Sequence, residues 1–119
     1  MEPTRRFNDL IVWQKAHQFV LNTYNFTARF PKEETYGLTS QFRRAAISIA
    51  ANVAEGYAKK GKADKLRYFN ISQGSLEECK YFLILARDLN LNEDPVMDNL
   101  PEEVSRLLNS YSQSINNSR

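Results

Sequence analysis

Five cations, Lys59, Lys60, Lys62, Lys65 and Arg67, fall within nine residues, with Tyr57, Tyr68 and Phe69 beside them. Clustered ammonium and guanidinium groups are the chemistry that contacts phosphate, and a helix starting near Lys62 adds free backbone N–H donors. Arg43 and Arg44 are two further candidate phosphate contacts. The competing reading of the run is a solvated turn between helices. Lys59, Lys60 and Lys62 are expected to sit at that turn with no structural duty. A second set is a polar stripe, Arg44, Ser48, Asn52 and Glu55, whose spacings of four, four and three keep it on one helical face. It reads as a solvated face, a structural hydrogen-bond network at an interface, or a binding or catalytic strip, and it lacks a nucleophile paired with a base. Glu78 falls at the edge of an apolar arc. A carboxylate there needs a partner, so burial against Arg43 or Arg44, within the subunit or across an interface, is expected.

Other reactive residues are few. His17 is the only imidazole and falls beside Trp13, Tyr24 and Leu10 on a helical wheel, which predicts a packed histidine. Cys79 falls among apolar positions, as a buried, inert thiol does. One Cys and one His cannot build a structural zinc site. No Walker loop, Gly-rich dinucleotide turn, HExxH or EF-hand loop is present. Glu77 and Glu78 are adjacent and so face different ways, and there is no Glu-x-x-His set. The expectation is a non-enzyme without cofactor or metal. No apolar run approaches roughly 18–20 residues, so no membrane span is expected. The opening residues, Met1 to Phe7, lack a secretory apolar segment, which predicts a cytoplasmic protein.

The elements that carry these residues are helical. The chain has 119 residues, 42% hydrophobic and 25% charged, with 4 Gly and 4 Pro, which suits one globular domain. Apolar spacing of three and four predicts helices at about residues 8–30, 38–57, 62–89 and 99–115. Asn8 or Asp9 can cap the first, and Asn99 with Glu102 has capping-box spacing for the fourth. Gly56 and Gly61 are expected to relieve a left-handed end of the second helix. Gly74, in mid-helix, implies close approach of another backbone. The fourth helix has one narrow apolar stripe and should lie outermost. The first and third have wide arcs, roughly 220° on the first, where a bundle needs only about 100°. The excess predicts a subunit interface, although angled packing within the chain also produces wide arcs. Residues 1–67 carry 12 Lys/Arg against 6 Asp/Glu, and residues 68–119 carry 4 against 8. Either the halves pair with each other or the first presents a basic surface to a polyanion.

The segment Tyr36-Gly37-Leu38-Thr39-Ser40-Gln41-Phe42-Arg43-Arg44-Ala45-Ala46-Ile47-Ser48-Ile49, followed by Ala51-Asn52-Val53-Ala54-Glu55-Gly56, resembles a known family. It is that of the bacterial four-helix-bundle proteins encoded in intervening sequences of 23S ribosomal RNA genes. Asp9-Leu10, Val12-Trp13 and Lys15-Ala16 agree, as do Phe30-Pro31-Lys32-Glu33-Glu34 and Gly74-Ser75-Leu76 with Glu78. The resemblance covers about residues 7–90. One departure is Ala50, where relatives often carry Pro, so less kink is expected here. The resemblance implies an all-α, antiparallel up-down four-helix bundle assembling as a homopentamer. It also implies kinship with accessory proteins of diversity-generating retroelements, which bind nucleic acid and a reverse transcriptase through a basic surface. Residues and resemblance together give two functional readings. One is an oligomeric accessory protein that binds structured RNA or DNA without reading sequence. Its contacts would be Arg43, Arg44, Lys59, Lys60, Lys62, Lys65 and Arg67, with Arg44, Ser48, Asn52, Glu55 and Glu78 as a structural polar network. The other is a protein-interaction scaffold that binds no nucleic acid.

Overall fold

The apolar periodicity folds into four helices, and the residues that end them set the connections. The computed structural model describes residues 5–118, among which there is no strand. The helices are α1 (Ile11–Thr27), α2 (Leu38–Ala58), α3 (Lys62–Asp88) and α4 (Leu100–Asn116). Short 3-10 turns at Phe7–Asp9, Lys32–Glu34 and Pro95–Met97 precede α1, α2 and α4. No helix of the described residues is long and apolar enough to cross a membrane. The helix α2 runs unbroken through Ala50.

Several ends differ from the sequence expectation. The first helix begins at Ile11 rather than near residue 8, because Asp9 turns backward. Its carboxylate accepts the N–H groups of Arg5 and Arg6, each at 3.2 Å, and extended Leu10 takes the cap position. The helix stops at Thr27, three residues before Phe30, since Pro31 disfavours a helical residue before it. Thr23 and Thr27 donate their hydroxyls to the carbonyls of Phe19 and Thr23, each at 2.8 Å. Asn99 does not cap α4. Its backbone is already helical (φ −99°, ψ −29°), whereas a side-chain cap needs an extended residue. Asp94 caps the preceding turn instead, accepting from Val96 N at 3.0 Å. No described glycine has positive φ, so neither Gly56 nor Gly61 ends α2 in a left-handed conformation. That conformation falls to Asn90 (φ 58°) after α3. There Leu91 N donates to Ala86 O at 2.8 Å and Asn90 N to Arg87 O at 3.0 Å, a Schellman closure.

Around the bundle, α2 packs against α1 and α3, and α4 packs against α3 and α1. The shape is elongated, 49 × 25 × 20 Å. Phe19, Phe42, Phe69, Ile49, Leu76 and Leu108 are fully buried at the shared core. Phe30, Phe26, Phe42 and Phe82 form a chain of rings with centroids 5.6, 6.3 and 5.6 Å apart. Cys79 is buried beside them, and burial pushes its thiol pKa well above the ordinary range, so the thiolate is suppressed.

The close approach expected at Gly74 is not made within the chain: a Cβ there would meet nothing within 4 Å. Gly56 makes it instead. A Cβ on Gly56 would lie 2.6 Å from Cε1 and 2.9 Å from Cδ1 of Phe69, a ring only 1% exposed. Alanine at 56 gains about 1 kcal/mol of helix propensity but overpacks a buried ring, at about 1–3 kcal/mol. Gly56→Ala is therefore expected to lower the melting temperature. Thermal unfolding of the variant checks it; a melting temperature above wild type would mean that the ring shifts freely.

Candidate nucleic-acid interface

The connection from α2 to α3 spans Lys59–Gly61, so the five cations of this region crowd around two consecutive helix ends. Two of them are tied to the backbone. Lys65 reaches back over the end of α2, donating from Nζ to Tyr57 O at 2.7 Å and Gly56 O at 3.4 Å. Lys62 donates from Nζ to Asn116 O at 3.1 Å and to Ser118 O, across to the end of α4. At Tyr57 O and Asn116 O they meet carbonyls in the last turns of helices, and both place positive charge where the helix dipole is negative. The expectation that Lys62 has no structural duty is thus overturned.

Lys59 and Arg67 flank one ring. Lys59 Nζ lies 5.2 Å and Arg67 Cζ 4.7 Å from the centroid of Tyr68. Arg67 also meets Asp64 at 3.9 Å, a long and exposed contact. Lys60 is exposed. The other ion pairs among the described residues are Lys15–Glu103, Lys80–Glu77, Lys80–Glu102 and Arg87–Asp98. Only Lys15–Glu103 joins a cation of the first half to an acid of the second. The two halves therefore do not neutralise each other at the turn. Acids of the second half lie elsewhere: Glu77 and Glu78 midway along α3, Asp88, Glu93, Asp94 and Asp98 at or past its far end, Glu102 and Glu103 in the first turn of α4.

Arg43 and Arg44 are not brought to this cluster. They lie near the other end of α2, about 22 Å along the helix from Lys59. Arg43 is locked onto α1, with Nε donating to Thr27 Oγ1 at 2.8 Å, a terminal nitrogen donating to Tyr24 O at 3.3 Å, and its guanidinium 4.4 Å from the Tyr24 ring centroid. Arg44 lines a groove of about 310 Å³ between α2 and α3, with Gln41, Ser48, Ser75 and Glu78. Glu78 is exposed and makes no ion pair among the described residues, so its expected burial against Arg43 or Arg44 is not found within the chain. Arg43 points to α1, and the Ser48–Ser75 contact takes the inner position between the helices. Part of the polar stripe is a network: Asn52 Nδ2 donates to Ser48 O at 2.8 Å and Ser48 Oγ at 2.9 Å, and Ser75 Oγ donates to Ser48 Oγ at 2.8 Å. Glu55 is exposed outside it. His17 is exposed too, lying flat on Trp13 with ring centroids 4.9 Å apart and planes 8° apart. It packs on an aromatic face rather than inside the core.

Among the described residues, no three His, Cys, Asp or Glu side chains gather as a metal site.

Comparison with known proteins agrees with the architecture. A crystal structure of a protein of unknown function from the S23 ribosomal protein family of Bacteroides thetaiotaomicron VPI-5482 superposes with a TM-score of 0.74. It is 24% identical, and the match covers 87% of this chain and 96% of that one, a likeness of fold. No curated protein matches the sequence. The model of the family described as 23S rRNA-intervening sequence protein matches residues 8–113. With nearly the whole helical body inside that match, the chain belongs to the 23S rRNA-intervening sequence protein family.

Proposed function

We propose that this protein is a non-enzymatic, cytoplasmic accessory protein that binds structured RNA or DNA through phosphate contacts at the α2–α3 turn. One observation carries the reading: Lys59, Lys62, Lys65 and Arg67 are held together at the turn by Tyr68 and by helix-end carbonyls, while the acids of the second half stay away from them. Lys59, Lys60 and Arg67 are the outer contacts. Lys62 and Lys65 add charge from tied positions, and Arg44 is a separate contact point on another face. A reverse transcriptase is a partner suggested by the family resemblance alone.

In this reading the four helices run up and down, antiparallel to their neighbours in sequence. Phe26 near the end of α1 meets Phe42 near the start of α2, and Phe42 meets Phe82 late in α3. The chain also self-associates, as a homopentamer. The supporting surface is the outward face of α3, where Tyr81 is 57% and Ile84 58% exposed. Gly74 opens the same face, with room for another copy to come close. Light scattering is expected to give a mass several times 13.8 kDa, fivefold for the pentamer. Ile84→Glu, which buries a charge in any such contact, is expected to shift it toward the monomer. A wild-type monomer at micromolar concentration would overturn the assembly.

Phosphate contact makes binding salt-dependent, with a slope of about −0.9 per neutralised phosphate on duplex DNA and about −0.7 on single strands. Replacing Lys59, Lys60 and Arg67 by Ala is expected to weaken binding to all sequences equally and to flatten the slope. These residues serve the test better than Lys62, whose loss also frees the end of α4. Electrophoretic shifts across a salt series check it. A triple variant that binds as tightly as wild type would exclude this surface. Absence of wild-type binding at low salt would leave the scaffold reading.

A further inference from the structure

Beside the basic turn, α3 and α4 form a groove of about 520 Å³ that the phosphate reading leaves unused. Its walls are the side-chain amides of Asn70, Gln73, Asn109, Gln113 and Asn116, with Arg67 among them. Leu66 and the buried ring of Phe69 add an apolar lining. The flanking segment of α4 and its end, residues 107–118, contains no charged residue. Gln73 is fixed in place: its Nε2 donates to Asn109 Oδ1 at 2.7 Å and to Ser105 O at 3.3 Å. The amides of Asn70 and Gln113 have no partner among the described residues, so a donor and an acceptor on each remain available.

Phosphate alone has no use for such a lining. A side-chain amide offers a donor and an acceptor side by side, which matches the edge of a nucleobase. Adenine carries the complementary pair on both its edges, N6–H with N1 and N6–H with N7. A concave groove cannot reach base edges inside a duplex, but it can receive a base splayed out of a single strand. The rim supplies the rest. Arg67 lines the groove and also lies over Tyr68, and Lys62 is bonded to the backbone of Asn116 at the groove's end. A strand whose phosphates lie on the turn thus has its bases beside the amides.

We infer that the α3–α4 groove receives an unpaired base, adenine by preference, from a single strand whose phosphates rest on Lys59, Lys60 and Arg67. This deepens the nucleic-acid reading above and rests on it. The test compares short homopolymer oligonucleotides, ribo- and deoxyribo-, of A and of the pyrimidines U, T and C, alongside a duplex. Wild type is expected to bind the A oligomer about fivefold or more tightly than the others, the lower bound for one bidentate amide–adenine pair. The double variant Asn70→Ala, Gln113→Ala changes two exposed side chains with no partner in the fold. It is expected to lose that preference while duplex affinity and salt slope stay as in wild type. Equal wild-type affinity for all the homopolymers, or a preference that survives in the double variant, would overturn the groove and leave the phosphate reading standing. Absence of binding to every oligonucleotide at low salt would overturn both.

Discussion

The contact of α3 with the end of α2 depends on a missing methyl group. With hydrogen as its side chain, Gly56 allows the Phe69 ring to lie against the backbone of α2, closer than any Cβ would permit. The same close spacing is used twice more along the two helices. Ser72 donates to Ile49 O at 2.8 Å in the buried interior, and Ser75 reaches Ser48 at 2.8 Å one turn further on. Small side chains on facing helices make both bonds possible. A buried hydroxyl without such a partner would cost about 1–3 kcal/mol, so the spacing must hold along the pair.

That spacing fixes what happens at the turn. With α2 and α3 drawn together, three residues suffice to connect them, and the helix-end carbonyls of α2 fall within reach of Lys65. Lys62, one residue into α3, reaches α4 in the other direction. The cations are therefore not an appendage on the bundle. They close its ends, and the charge they bring is concentrated because two helix termini and the Tyr68 ring lie in one place. Phe69 extends the same logic sideways: one edge fits Gly56, its ring sits 5.1 Å from that of Tyr111, and it also lines the amide groove.

Much of the helical layout was legible from apolar spacing, because a period near 3.6 is a strong signal over segments this long. Ends were less so. Capping depends on backbone angles, and Asn99 has the right side chain on the wrong backbone, while Asn90 takes the left-handed position. Gly56 and Gly74 look alike in sequence, as glycines on helices. Only the position of Phe69 distinguishes them, and that is a tertiary fact. Within the chain, Glu78 lacks the expected partner for a related reason: a wheel gives direction, not how far the neighbouring helix extends over it. For the candidate interface, the cations were visible as a run. The bonds of Lys62 to carbonyls 54 to 56 residues away were not, and neither was the convergence of α3 and α4 amides.

The arrangement of charge also has a mechanical consequence. In a molecule 49 Å long, the α2–α3 turn gathers cations at one end, while the acids of the α3–α4 connection lie beyond the other end of a 27-residue helix. Such a body carries an electric dipole along its long axis. In the field of an approaching polyanion it experiences a torque, with the acidic end driven away and the basic end swung forward. Orientation is then selected before contact, and encounters begin end-on rather than along the flank.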